Sequence, residues 1–215
     1  MRRLRVAWSP DLGYVKVNAE ASTLAAEASK EFERSLGCSV EMAHPLAADP
    51  GEILSVLWTM SYALRLRGFL AEWENRMDPE LVKLVRKAET LTPTEYGEAV
   101  ASRTAFWDKV RTFFDRYDLL ITPSAPALPF PVGQNVPDQA ASNKGKELPF
   151  LKWLVFTYPW NLTGQPAASV PCGFTRDGLP VSIQIIGRRF ADATVLQAAA
   201  AFEQVRPWVS RRPPV

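Results

Sequence analysis

The chain has 215 residues, enough for one full domain, with 47% hydrophobic and 22% charged residues, an ordinary balance for a globular protein. Its 25 Lys and Arg against 23 Asp and Glu leave a net charge of +2, so charge points to no nucleic-acid partner, and no run approaches the roughly 20 apolar residues of a membrane span. Cys38 and Cys172 have neither CxxC nor metal-ligand spacing, and the basic start meets Ser9-Pro10-Asp11 too soon for a signal-peptide core. The expectations are no metal, no cofactor, no membrane and a cytoplasmic protein.

In chain order, Arg5 to Trp8 reads as a short buried strand stopped by Ser9-Pro10-Asp11. Asn18 is placed to cap a helix carrying Ala21, Leu24, Ala28, Phe32 and Leu36 at helical spacing, with Gly37 as its C′ residue. Cys38 to Met42 alternates as a strand with Val40 and Met42 on one face, which completes a βαβ unit and a parallel pair. Residues 51–77 read as one amphipathic helix. Asp78-Pro79-Glu80 starts a shorter one, and Thr92-Pro93-Thr94-Glu95 starts another reaching about Tyr117. On that last helix Tyr96, Val100, Trp107, Val110, Phe114 and Tyr117 form a stripe expected to be core.

Leu119 to Thr122 reads as a buried strand. The segment Pro123-Ser-Ala-Pro-Ala-Leu-Pro-Phe-Pro131 is an extended loop, and residues 132–147 are a long polar one. Ala167 to Phe174 and Leu179 to Ile186 form a β-hairpin about Asp177-Gly178, with Val181, Ile183 and Ile185 on one face and Ser182 and Gln184 on the other. Asp192 is expected to cap a final helix packing Val195, Leu196, Ala199 and Phe202 inward. The fold class is α/β: a mixed β-sheet covered by helices.

The usual catalytic patterns are missing from the sequence. The one histidine, His44, precedes Pro45 at a strand end, which suits a loop residue better than a general base, and no G-x-S-x-G elbow occurs. What does stand out is the run 157–187. Pro159, Asn161, Gly164, Pro166, Pro171, Gly173, Gly178, Pro180, Gln184 and Gly187 fall at the spacing of the amidase-signature hydrolases, with Ser182 where many members have glycine. The chain resembles the C-terminal half of that family.

The resemblance implies amide hydrolysis by a Ser-Ser-Lys triad with no cofactor. A serine attacks the carbonyl, a second serine relays its proton to a lysine, and a glycine-rich loop supplies backbone donors. None of the 11 glycines here is followed by another, and neither Ser124 nor Ser169 has a glycine pair or a lysine within a few residues. The chain therefore reads as residues 1–215 of a single partial domain lacking the N-terminal catalytic half. No catalytic residue is assigned. Thr122, Pro123, Ser124, Leu154, Thr157 and Tyr158 are expected to wall the substrate pocket, and Asn161 and Gly164 to make a turn. Glutamine-acting subunits of the family place an acidic residue seven positions before the matching asparagine; Leu154 stands there, so an apolar or aromatic amide is the expected substrate of the intact enzyme. The rival reading is a non-catalytic partner or assembly subunit. Expected partners are a separate N-terminal half or a second copy.

Overall fold

The computed structural model describes Met1, residues 3–45, 48–134, Pro137 and 153–211. Most of the polar loop expected over 132–147 lies outside the described residues. The five strands among the described residues are β1 (Arg5–Trp8), β2 (Ser39–Met42), β3 (Leu119–Pro123), β4 (Ala167–Phe174) and β5 (Pro180–Gly187). They form one mixed sheet in the order β2-β1-β3-β5-β4. β1 runs parallel to β2 and β3, and β5 runs antiparallel to β3 and β4. The expected α/β class and the hairpin are both present.

Strand alternation sends side chains to two opposite cores. On one face Val6, Trp8, Ile121, Ile183 and Ile185 pack under α1 (Ala19–Arg34) and α7 (Asp192–Val205). There Phe32 and Phe202 stack with ring centroids 5.5 Å apart. On the other face Ala7, Leu120 and Ile186 meet α2 (Gly51–Leu66), α5 (Pro93–Arg116) and α6 (Tyr158–Thr163). Each fully buried large aliphatic side chain contributes about 1.5–3 kcal/mol.

Local chemistry sets the helix ends. Asn18 Oδ1 accepts the Glu20 and Ala21 N–H groups at 2.9 and 3.3 Å, and Gly37 takes φ 70° beyond α1. Asp78 caps α4 (Pro79–Lys87), and Thr92 with Glu95 closes a capping box ahead of Pro93.

Four expectations are corrected. The helix expected over 51–77 breaks after Leu66 into 3-10 turns around a short α3 (Leu70–Trp73). Gly68 lies at the break, where glycine costs a helix about 1 kcal/mol. The aromatic stripe of α5 is core from Val110 onward, but Tyr96 and Val100 are 41% and 43% exposed. A helix of 24 residues spans about 36 Å, and the five-residue β3 beneath it about 17 Å, so the first half overhangs. In α7 the cap is Ala191, and Asp192 is the first helical residue, still well placed against the helix dipole. Leu196 is 66% exposed because it lies a third of a turn off the Val195–Ala198–Phe202 stripe.

Asp118 ties three strands together at one end of the sheet. Its carboxylate accepts the Arg5 N–H at 2.8 Å and the Arg188 guanidinium at 2.8 Å, while its own N–H donates to Arg5 O. Burial pushes the Asp118 carboxyl up, but the Arg5 hydrogen bonds and the charges of Arg188 and Arg5 outweigh it, and the net position is below the usual carboxylate range.

Two outcomes follow. A depressed folded-state pKa stabilises above the unfolded value of about 3.9, and that stabilisation is lost as pH falls through the lower folded value. Asp118→Asn should therefore lower Tm at neutral pH and by less in strong acid; an equal drop at both in thermal melts would remove the clasp. At the end of β5, a Cβ on Gly187 would lie 2.6 Å from Val195 Cγ2, and a β-branched side chain has little freedom to step aside. Gly187→Ala should cost about 1–3 kcal/mol in urea unfolding, partly recovered by adding Val195→Ala.

Candidate functional site

The register of β3, β5 and β4 builds a polar row across an otherwise apolar sheet. Thr122 pairs with Gln184, and Gln184 pairs with Ser169. With a side-chain period of two, Thr122, Ser182, Gln184 and Ser169 share one face. Ser124 follows β3 directly; its N–H donates to Ser182 O at 3.0 Å, and its hydroxyl lies 2.9 Å from that of Ser169. Above the hydroxyls opens a cavity of about 210 Å³, lined by Ser124, Ser169, Ser182, Leu128, Phe130 and Trp153 among others. Phe130 and Trp153 meet edge to face at 5.8 Å and form its aromatic wall.

Gln184 holds the floor. It is 5% exposed, and its Nε2 donates to Phe156 O at 2.7 Å, with Thr122 Oγ1 at 3.4 Å. Thr122 is fully buried and gives its own proton to Pro123 O. A buried amide of this kind is tolerable because it is bonded.

Of the six expected wall residues, Ser124 lines the cavity, while Thr122 and Pro123 lie in the strand beneath. Leu154 is half-buried against the α2, α5 and α6 core, on the same side of the sheet as Thr122. Its carbonyl accepts the Thr157 and Tyr158 N–H groups and the Thr157 hydroxyl. Tyr158 is buried and turns away from the cavity, its hydroxyl donating to Asp49. Burial, then the Asp49 charge, pushes the neighbouring Tyr14 phenol well up. Gly164 takes φ 77° and ends α6 as expected of a turn residue. Asn161 is not in a turn: it is an exposed residue inside α6, because Pro159 starts that helix and Gly164 stops it only at Thr163.

Ser9, His44 and Asp11 also meet, without forming a triad. Both Ser9 Oγ (2.8 Å) and Asp11 Oδ1 (3.5 Å) face the same ring nitrogen, Nδ1. A relay needs base and orienting carboxylate on opposite nitrogens. Ser9 is fully buried and its oxygen accepts the Leu12 N–H at 3.0 Å, so this group fixes a turn.

No Lys, His, Asp or Glu lines the Ser124 cavity among the described residues. The paired hydroxyls can hydrogen-bond an amide group, and the aromatic wall can hold an apolar one, but an alcohol without a base is a weak nucleophile. No group of three or more His, Cys, Asp or Glu side chains gathers for a metal among the described residues. No described helix is long and apolar enough to cross a membrane. The Ser124–Ser169 contact was only half legible in the sequence: the Asp177-Gly178 turn announces the hairpin, but the register shift between Pro171 and Gly173 is what puts Ser169 opposite Gln184. The Phe130–Trp153 contact had no such signal.

The family profile of the amidases matches residues 2–196. An acylamidase of Rhodococcus erythropolis is 39% identical over 217 residues, covering 99% of this chain and 44% of its own length. A glutamyl-tRNA(Gln) amidotransferase subunit of Moorella thermoacetica is 45% identical over 118 residues, 55% of this chain and 22% of its own. A bacterial aryl acylamidase of the amidase-signature family superposes with TM-score 0.85 at 25% identity, over 99% of this chain and 47% of its own. The chain thus spans less than half the length of the acylamidase it matches.

Gln184→Leu should leave the Phe156 carbonyl without its donor inside the protein. The expected loss is about 1–3 kcal/mol, read as a lower urea midpoint, together with a change in the near-UV signal of Trp153 and Trp160. An unchanged midpoint would mean that Gln184 does not hold this segment.

Proposed function

Because the chain belongs to the amidase family, we propose that it serves the hydrolysis of amide carbon–nitrogen bonds as a pocket-bearing C-terminal portion, with the nucleophile and its base supplied from outside these 215 residues. The observation that carries this reading is the Ser124–Ser169 pair. Two hydroxyls bond each other at 2.9 Å on a cavity whose described lining carries no charged side chain to take a proton. The sequence also holds no adjacent glycines, and a backbone donor loop that closely approaches a substrate relies on them.

The substrate reading is an apolar or aromatic amide. The cavity wall is Leu128, Phe130 and Trp153, with no charged side chain to hold an amino group, while Leu154, at the position of the acidic residue in glutamine-acting relatives, packs in the neighbouring core. The name of one structural relative, an aryl acylamidase, agrees with the aromatic preference.

A non-catalytic assembly role is the second reading, favoured by one feature. β4 is the last strand of the described sheet, and Ala167 and Ser169 on it are exposed. An unpaired edge is a template for another strand. A complementary amidase half or a second copy would fit there, which makes self-association the expected behaviour of the isolated chain.

The purified 215-residue protein should show no turnover of simple aliphatic, aromatic or amino-acid amides above a buffer blank, since losing a nucleophile costs on the order of 10⁶ in rate. Turnover that disappears in Ser124→Ala or Ser169→Ala would overturn the reading and make this pair the catalytic centre.

A further inference from the structure

A second cleft lies at the other end of β5, roughly 20 Å from Ser182 along the strand direction. It has a volume of about 380 Å³ and is lined by Val100, Arg103 and Trp107 of α5, by Leu162 and Gly164 at the end of α6, and by Arg189 beyond β5. Val100, Arg103 and Trp107 fall at steps of three and four, so they form one stripe on the overhanging half of α5.

One of the two arginines is anchored, and neither has a counter-charge on the cleft. Arg103 Nε donates to Leu162 O at 2.7 Å, which satisfies a carbonyl at the α6 C-terminus and leaves the terminal nitrogens of the fork over. Arg189 lies over the Phe190 ring at 4.7 Å and against Gly164, where a Cβ would come 3.6 Å from its Nε. Neither enters an ion pair among the described residues, and no carboxylate lines the cleft. Two guanidinium groups on one cleft with no carboxylate between them make a local positive field.

We propose that this cleft binds a carboxylate attached to an apolar, preferably aromatic, body. Planar guanidinium forks match a carboxylate with paired hydrogen bonds, and the anchoring of Arg103 reduces the ordering entropy on binding. Trp107 and Val100 offer the apolar surface for the rest of the ligand. A bare phosphate would use the charge and waste that surface. The site is separate from the Ser124 cavity and does not depend on the chain's being catalytic.

The test is a titration of the 215-residue protein at low salt with benzoate, with neutral benzamide and with inorganic phosphate, followed by NMR of the Trp107 indole and the arginine Nε–H groups. Benzoate should bind saturably, at least about tenfold tighter than benzamide, because hydrogen bonds to charged groups carry that much. Binding should weaken as salt is added. Phosphate should bind more weakly than benzoate. Arg189→Gln, which disturbs no hydrogen bond among the described residues, should weaken benzoate about tenfold or more, Arg103→Gln likewise, and Arg176→Gln on the hairpin turn not at all. The proposal is overturned by absent binding, by equal binding of benzoate and benzamide, by phosphate binding as tightly as benzoate, or by an unchanged affinity in Arg189→Gln and Arg103→Gln alike.

Discussion

The hydrogen bond from Gln184 to the Phe156 carbonyl is the contact on which the pocket side of the molecule depends. Gln184 sits in the middle of β5, which has hydrogen-bonded neighbours on both sides, so its polar head has no route to water. An amide buried there without a partner would cost several times what it contributes when bonded. Satisfying it draws the turn before α6 down onto the sheet. That in turn commits Tyr158, Trp160 and Leu162 to the second core. Only with α6 in that position does Arg103 find the Leu162 carbonyl, so the second cleft inherits its geometry from the same bond.

The two cores are unequal in kind. The face under α1 and α7 is closed by apolar side chains around the stacked Phe32 and Phe202, with alanines at 21, 25 and 28 letting α1 approach the strands. The face under α2, α5 and α6 is more polar. It carries Thr122, Gln184 and Ser169 in register, and the row runs from full burial at Thr122 to exposure at Ser169 as the sheet reaches its last strand. The candidate site occupies that gradient: it lies where a polar row emerges from a core, so its hydroxyls are held by backbone pairing and yet reach an open cavity.

Most of the architecture was legible because it rests on local rules. Asn18, Asp78 and Thr92 cap the helices they were expected to cap, and Asp177-Gly178 turns the hairpin it was expected to turn. The misreadings share a cause. Periodicity gives the side of a helix that is apolar but not how far the neighbouring sheet extends, so Tyr96 and Val100 fit the core stripe and yet lie beyond the core. Leu196 and Asp192 each differ from expectation by a fraction of a turn. The site was less legible than the fold. The signature positions at 159–187 turn out to be α6, its αL stop at Gly164, the hairpin turn at Gly178, the close approach at Gly187 and the internal bond of Gln184. These are scaffold functions, which is why the spacing could identify a family and still leave the chemistry unassigned. Trp153 reaches Phe130 across more than twenty residues of chain, and no spacing rule anticipates that.

The two edges of the described sheet differ in how they meet solvent. β2, at one end, has four residues, is tied through Glu41 to Arg116 on α5, and exposes Met42 at its tip. Short length and charge are common ways of blunting an edge. β4, at the other end, has eight residues and no charged side chain. Pro171 removes one N–H, and the register shift between Pro171 and Gly173 twists the second half away from further pairing. Ala167 to Val170 has neither device. The unguarded half of the strand is also the half that carries Ser169. A strand added there would therefore pair next to the serine that faces the cavity, and whatever side chains it brought would meet the Ser124–Ser169 pair. The position of the open edge and the lack of a base in the described cavity lining thus point to the same side of the molecule.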